Sequence, residues 1–192
     1  MSEIAQTDNF NDKTSIKVVG VGGAGGNAVN RMIAEGLQNV QFVAVNTDAK
    51  DLLRSEADVK ISLSDNNSRG GGGGAAPAKG AQAAPDHQSD IEEAIKGSDM
   101  VFVTAGEGGG TGTGASPLVA RAARQLGALT IAVVTRPFTF EGPRRASSAE
   151  SGIENLRKEV DALIVIPNDR LLDLSDRTVS VIDAFKTADT AL

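Results

Sequence analysis

The sequence predicts an α/β protein with a Rossmann-like, three-layer fold, in which a parallel sheet carries helices on both faces. Short, nearly continuous apolar runs rich in β-branched residues alternate with amphipathic segments along the chain. Such runs are typical of strands buried on both sides of a parallel sheet. Ligands of these sheets bind outside the carboxyl ends of the strands, where this sequence places its unusual loops. The predicted strands are residues 16–21, 40–45, 59–61, 100–104, 129–134 and 163–166.

The amphipathic segments between the strands are predicted to be helices over residues 25–35, 90–96, 116–126, 144–159 and 179–192. One segment, 68–85, consists largely of glycine and alanine and is predicted to be a mobile surface loop that can fold over a ligand as a lid. His87, the only histidine, follows this loop and is predicted to be a solvated loop residue.

Size and composition indicate one soluble globular domain, because the chain has 192 residues of which 40% are hydrophobic and 23% charged. The net charge of −6 argues against a general nucleic-acid or membrane-surface binder, since both prefer a basic footprint. Cysteine is absent, which excludes disulfides and thiolate metal sites. No apolar stretch is long enough to span a bilayer, and residues 1–11 do not resemble a signal peptide, so we expect a cytoplasmic location.

A glycine-rich loop, Gly106-Glu-Gly-Gly-Gly-Thr-Gly-Thr-Gly114, joins the predicted strand 100–104 to the predicted helix 116–126. Backbone N–H groups without neighbouring Cβ atoms, followed by a helix N-terminus, suit a phosphate group. The two threonine hydroxyls add further donors to phosphate oxygens. No Gly-x-x-x-x-Gly-Lys-Ser/Thr sequence is present, so the P-loop templates of ordinary ATPases and GTPases fit poorly.

A second glycine-rich loop follows the first strand, and its Gly20-x-Gly22-x-x-Gly25 matches the dinucleotide-binding fingerprint. Asp48 follows the second strand, where that fingerprint has an acidic residue. Taken alone, these features favour a Rossmann-type NAD-dependent oxidoreductase, and this alternative stays open. Two phosphate-cradling loops on parallel strands suit a different ligand, one nucleotide whose triphosphate lies between them.

The segment Gly108-Gly-Gly-Thr-Gly-Thr-Gly114 resembles the signature loop of the tubulin and FtsZ superfamily of filament-forming GTPases. Residues 16–30, 42–48, 136–145 and 164–172 resemble the bacterial FtsZ proteins of cell division more than eukaryotic tubulins. The likeness runs from about residue 16 to the end of the chain, in the same order and with nearly the same spacing. It implies a GTP-binding domain of a division filament protein that binds GTP or GDP, with Mg²⁺ accompanying the nucleotide.

The resemblance also implies which residues hold the nucleotide. Backbone N–H groups of Gly22, Gly23, Ala24, Gly25 and Gly26 are expected at the α- and β-phosphates, with Asn27 at the start of the helix. Gly109, Gly110, Thr111, Gly112 and Thr113 are expected at the β- and γ-phosphates. The set is completed by Asn46 and Asp48 of the second-strand motif, and by Glu141 and Arg145, which match the ribose and phosphate contacts of the family.

The guanine base is expected near Phe185 and Asp189, which are four residues apart and share one helix face. Phe185 can stack on a purine while the Asp189 carboxylate accepts from guanine N1–H and N2–H₂. Adenine has no donor at N1, so it would leave Asp189 unpaired and be rejected.

Two features depart from the family pattern. The segment 69–80 aligns with the loop that senses the γ-phosphate, but glycine and alanine replace its larger residues, so ordering it loses more entropy. The chain stops at Leu192, before the acidic loop that in the family positions the hydrolytic water at the nucleotide of an adjacent subunit. We therefore expect a disordered tail over residues 1–14, a GTP-binding domain over 15–178 and the start of a long core helix over 179–192, with the second domain absent.

These departures predict GTP binding with little or no turnover by this chain alone, with no catalytic residue or metal ligand of its own. The expected partners are FtsZ-like subunits in head-to-tail contact, without nucleic-acid binding or direct membrane binding. A non-catalytic module that caps filaments is a further alternative.

Overall fold

The structure is a computed structural model that describes residues 14–63, 87–173, 186–188 and 190–192. Its elements in chain order are β1 (Ile16–Val21), α1 (Gly22–Ala34), β2 (Gln41–Asn46), α2 (Ala49–Arg54), β3 (Val59–Ser62), α3 (Gln88–Ile95), β4 (Met100–Gly106), α4 (Thr111–Gln125), β5 (Leu129–Arg136), a 3₁₀ helix (Thr139–Glu141), α5 (Pro143–Arg157), β6 (Ala162–Pro167) and α6 (Asn168–Asp173). Residues 186–188, 190 and 191 are helical. The predicted tail up to residue 13, the segment 68–85 and most of the helix predicted over 179–192 lie outside the described residues.

The six strands form one parallel sheet in the order β3-β2-β1-β4-β5-β6, as the predicted Rossmann-like fold requires. From β1 the sheet is extended on one side by β2 and β3, and on the other side by β4, β5 and β6. The boundary between β1 and β4 is therefore the topological switch point. Val21 pairs in register with Ala105, so the carboxyl ends of β1 and β4 lie side by side. The loops that follow these two strands therefore emerge next to each other.

Helices cover both faces of the sheet, which confirms the predicted three layers. On one face, α1 and α2 pack through Val29 and Leu52 against Phe42 and its neighbours in the sheet. On the other face, α3, α4 and α5 contribute Ile95, Val119 and Ile153 to a larger core. Among the described residues, no helix is long and apolar enough to cross a membrane.

The strands lie close to their predicted positions, but several helix starts differ. Helix α1 begins at Gly22, three residues before the predicted start, and α4 begins at Thr111, five residues before it. Glycine has low helix propensity, so the sequence placed these residues in loops. In the structure they are held in helical turns because the junctions pack tightly against the sheet. The short elements α2, α6 and the 3₁₀ helix were not predicted.

Gly20 and Gly25 bring β1 and α1 into direct backbone contact. A Cβ on Gly25 would overlap the carbonyl oxygen of Thr104, and a Cβ on Gly20 would overlap the carbonyl of Gly25. The third glycine of the fingerprint therefore serves helix–sheet packing in this chain. This contact fixes the position at which α1 starts.

We predict that Gly25→Ala lowers the free energy of unfolding by about 2 kcal/mol, because the added methyl group forces α1 away from β4. Urea unfolding followed by circular dichroism measures this change. Gly26→Ala is the matched control on the same helix, since a Cβ there meets no atom within 4 Å. It is expected to be neutral or stabilising by up to about 1 kcal/mol, and equal destabilisation by both variants would contradict the packing argument.

Candidate functional site

A cavity of about 270 Å³ lies at the carboxyl ends of β1 and β4. The start of α1 and the segment that leads from β4 into α4 form two of its walls. The ends of β2 and β5, the 3₁₀ helix, α5 and α6 contribute the remaining lining residues. This is the place where ligands of open parallel sheets bind.

Helices α1 and α4 both begin at this cavity. Neither is capped by a side chain, since Val21 and Gly110 precede them, and neither has an acidic residue in its first turn. The first N–H groups of an α-helix have no partner within the helix and carry the positive end of its dipole. Two uncapped helix N-termini at one cavity therefore form a site for an anion such as phosphate.

The two glycine-rich junctions are in contact with each other. A Cβ on Gly22, where φ is +75°, would lie 3.0 Å from the backbone nitrogen of Gly112. A Cβ on Gly106 would lie 2.9 Å from the side chain of Ala24. The junctions thus form one continuous backbone wall of a single cavity, and side chains larger than hydrogen would hold them apart.

The cavity brings together most of the residues that the resemblance implied: Gly22, Gly23, Ala24, Asn46, Gly109, Gly110, Thr111, Gly112, Glu141 and Arg145. Gly26 and Asn27 instead line a smaller neighbouring cavity of about 50 Å³, which adjoins α2 and also touches Gly22 and Gly23. Gly25 lines neither cavity, because it is packed against the sheet. Phe185 and Asp189 lie outside the described residues.

The hydroxyl groups of both threonines make hydrogen bonds within the protein. Thr113 Oγ1 accepts a hydrogen bond of 2.8 Å from the backbone N–H of Gly108, and Thr113 does not line the cavity. Thr111 Oγ1 and Thr47 Oγ1 lie 2.8 Å apart and share a hydrogen bond. These bonds hold the β4–α4 junction in shape, a use of the hydroxyls that the sequence analysis did not anticipate.

Asp48 serves as the N-cap of α2, with its Oδ1 accepting from the backbone N–H groups of Lys50 at 2.8 Å and Asp51 at 3.4 Å. It does not line either cavity. Asn46, by contrast, is buried beside both cavities, and its Oδ1 accepts from the N–H of Asp48 at 3.1 Å. The carboxylate that matched the dinucleotide fingerprint is therefore engaged in starting a helix.

Glu141 and Arg145 form an ion pair at the rim of the cavity, with 3.6 Å between Glu141 Oε1 and Arg145 Nη1. The second carboxylate oxygen of Glu141 accepts a 2.7 Å hydrogen bond from the N–H of Phe138. Only 11% of the Glu141 side chain is exposed, whereas 43% of the Arg145 side chain is. Glu141 thus stabilises the 3₁₀ turn and places the Arg145 guanidinium beside the cavity.

Asn168 is a lining residue that the sequence analysis did not assign to the site. It follows β6 directly and is buried, and its Oδ1 has no hydrogen-bond partner among the described residues. A buried amide without a partner is costly unless a ligand or water satisfies it. Its position directly after the apolar run of β6, at the edge of the sheet where ligands bind, was a signal present in the sequence.

Glu107 is another lining residue that was not among the predicted site residues. It is only 4% exposed, and Ser116 Oγ donates a 3.2 Å hydrogen bond to its Oε1. Its Oε2 is buried without a partner among the described residues. Burial raises the pKa of Glu107 from its ordinary value of 4.5 to about 7, against the smaller, opposite effects of the Ser116 and Thr113 hydroxyls.

The chain is thus an α/β domain whose switch point carries a cavity with the features that suit a phosphate group. Residues 15–176 match the family described as Tubulin/FtsZ family, GTPase domain. This chain belongs to that family. The match covers most of the chain and every described residue that lines the cavity except Ala188.

Solved structures of the same family are similar to this chain. An empty FtsZ dimer from M. jannaschii superposes with a TM-score of 0.90 at 46% identity, over 94% of this chain and 52% of that one. CetZ1 from Haloferax volcanii, a GDP-bound monomer, superposes with a TM-score of 0.81 at 25% identity, over 92% of this chain and 57% of that one. CetZ2 from the same organism, a GTPγS-bound protofilament, has a TM-score of 0.81 at 24% identity, over 92% of this chain and 55% of that one, and supports the fold alone. The chain therefore spans about half the length of the FtsZ chain that it matches.

Family membership and the site argue together against the NAD-dependent oxidoreductase. The fingerprint's acidic residue, Asp48, caps α2 and does not face the cavity. The fingerprint glycines are used for packing and for the shared wall with α4, and α4 supplies a second anion site that the oxidoreductase template does not explain.

The raised pKa of Glu107 predicts how stability depends on pH. The folded chain keeps the Glu107 proton up to about pH 7, whereas the unfolded chain releases it near pH 4.5, so unfolding releases a proton between these values. The free energy of unfolding contributed by this group therefore falls as pH rises through that window, by about 3 kcal/mol in total. Glu107→Gln replaces the ionisable carboxyl group with a neutral amide, so this loss of stability is absent from the variant. The free energy of unfolding of the variant, relative to that of the parent, therefore rises from pH 4.5 to 7.5.

Urea unfolding at several pH values measures this difference. The control is Glu56→Gln, which changes an exposed carboxyl group of the same type. Parallel stability–pH curves for the parent and Glu107→Gln would show that the carboxyl group is not buried as described.

Proposed function

We propose that this chain is a GTP- and GDP-binding domain of an FtsZ-like, filament-forming GTPase, and that the cavity at β1 and β4 holds the nucleotide. The observation that carries the proposal is the convergence of two uncapped helix N-termini on one cavity whose shared wall is bare backbone. A di- or triphosphate satisfies N–H groups from both helices at once. Membership of the GTPase-domain family supports a guanine nucleotide.

The charges around the cavity support a phosphate ligand that brings its own metal ion. Arg145 is the one cationic side chain lining it among the described residues. Within the same part of the chain, no group of three or more His, Cys, Asp or Glu side chains is placed to hold a metal. Mg²⁺ fits this site as an ion bound through the phosphate oxygens, where it keeps several waters and neutralises phosphate charge.

Asn168 supports the assignment of the base to the α6 end of the cavity. Its free Oδ1 is an acceptor for the N–H donors of guanine, in the role that we also propose for Asp189 beside Phe185. Ala188 lines the same cavity and is buried near Phe138, with Leu171 of α6 packed against them, which supports this proposal.

The family also supports proposals about assembly. The similar structures include an FtsZ dimer, and we propose that this chain contacts FtsZ-like subunits head to tail. A cytoplasmic location at a division site, and the domain limits 15–178 and 179–192, are proposed on the same family basis. In this proposal a complete active site forms only between two subunits, one holding the nucleotide and the other supplying the acidic loop.

We predict that the purified chain retains a guanine nucleotide, and that Gly109→Ala weakens GDP binding by at least about tenfold, or 1.4 kcal/mol. Gly109 lines the cavity, and a Cβ there meets no protein atom within 4 Å, so the fold tolerates it. The methyl group instead occupies space beside the phosphates and prevents close approach of the backbone. Isothermal titration calorimetry with GDP measures the affinity, and chromatography of the released ligand identifies it.

The matched control is Gln125→Ala, an exposed change at the opposite end of α4, which is expected to bind GDP as the parent does. Release of a nicotinamide dinucleotide, or equal GDP affinity for the parent and Gly109→Ala, would contradict the proposed site.

We further predict that the chain alone hydrolyses GTP with little or no steady turnover, because the resemblance places the residues that position the water on a different subunit. A phosphate-release assay, at a chain concentration well above the dissociation constant for the nucleotide, measures turnover. Steady GTP hydrolysis that persists on dilution would show that one chain contains a complete active site.

A further inference from the structure

We propose that Glu107 makes nucleotide binding depend on pH: the chain binds a nucleoside di- or triphosphate with Glu107 protonated, and ionisation of this carboxyl group weakens binding. The inference rests on the proposed function, because it requires phosphate groups in the cavity that Glu107 lines.

The position of Glu107 is fixed from three sides. Its backbone N–H donates a 2.9 Å hydrogen bond to the carbonyl of Thr135 at the end of β5. Its Oε1 accepts from Ser116 on α4, and its Oε2 lies where a Cβ on Gly152 of α5 would overlap it. The carboxyl group is thus buried between α4 and α5, where little water reaches it.

The neighbouring charges do not neutralise an ionised Glu107. On α5 and β5, Arg145 pairs with Glu141, Arg136 with Glu150 and Arg157 with Glu154, while Arg144 is exposed at the start of α5. On α4, the ionisable groups are Arg121 and Arg124, which pair with Glu159 and Asp161. The first ionisable group on α1 is Arg31, near the far end of that helix. Within the described ranges, no cation forms an ion pair with Glu107.

A bound nucleotide changes this balance because it adds two or more negative charges to the same cavity. Like charges disfavour each other where water is excluded, so phosphates in the cavity that Glu107 lines favour the protonated form of Glu107. By linkage, the protonated protein then binds the nucleotide more tightly than the ionised protein does. Because burial already raises the pKa of Glu107 to about 7, the change falls near neutral pH.

The test compares GDP affinity between pH 6.0 and 8.5 in the parent and in Glu107→Gln, by isothermal titration calorimetry. The parent is expected to lose roughly tenfold more affinity over this range than the variant does. Titration of the GDP phosphates affects the affinity of both proteins equally, so it cancels when the two pH profiles are compared. His87→Gln, a change of the only histidine, is the control, and it should keep the parent's profile because His87 directly precedes α3 and does not line the cavity.

Repeating the calorimetry at pH 7.5 in buffers of different ionisation enthalpy measures proton uptake directly. The parent should take up a larger fraction of a proton on binding GDP than Glu107→Gln does. Superimposable pH profiles and equal proton uptake in the two proteins would overturn the inference while leaving nucleotide binding intact. Failure of the parent to bind GDP at every pH would instead contradict the proposed function.

If Glu107→Gln does not fold, the parent alone decides the question. Carboxyl ¹³C resonances of glutamate-labelled protein are titrated by NMR with and without saturating GDP. One glutamate is expected to titrate near neutral pH, with a midpoint that moves upward when GDP is bound. A midpoint unaffected by GDP would overturn the inference.

Discussion

At the switch point of the sheet, Gly22 and Gly112 approach so closely that one Cβ would press against the opposite backbone. This contact is possible because β1 and β4 are neighbours in register, which brings the starts of α1 and α4 together. The site depends on this arrangement, since it turns two ordinary helix ends into one surface of converging N–H groups. Phosphate recognition by backbone in this way requires no lysine, which agrees with the lack of a P-loop.

Side chains in this region mainly hold the backbone in place. Thr113 binds the N–H of Gly108, Thr111 pairs with Thr47, and Asp48 caps α2. Each of these polar groups was a reasonable ligand contact when judged from the sequence. Their internal hydrogen bonds hold the backbone near the cavity in its observed shape, and a site formed before binding avoids the entropy cost of ordering loops.

The sheet and its layers were predictable because they follow from local patterns. Strands such as β1 and β5 are continuous apolar runs, and the glycine-rich loops mark the ends of β1 and β4. The start of α4 at Thr111 was not predictable, because glycine-rich turns become helical only when tertiary packing holds them. The free Oδ1 of Asn168 also depends on the folded structure around it. The Asp48 cap, by contrast, is a local contact with the next two or three residues, and an aspartate before a helix is a signal that the sequence carries. Burial of Glu107 follows from Gly152, 45 positions further along the chain, and no local pattern reports such a contact.

The contact between Glu107 and Gly152 couples the side-chain sizes that two distant positions can accept. Only glycine at position 152 leaves space for the Glu107 carboxyl group. A shorter side chain at position 107 would leave a void beneath α5. A Cβ on Gly152 would also overlap the side chain of Thr113, so a smaller residue at 107 alone does not make room for a larger one at 152. Substitutions at positions 107, 113 and 152 are therefore expected to be non-additive. Glycine at 152 is thus required by two side chains at once, and the close packing of α5 on α4 leaves this position little freedom to vary alone.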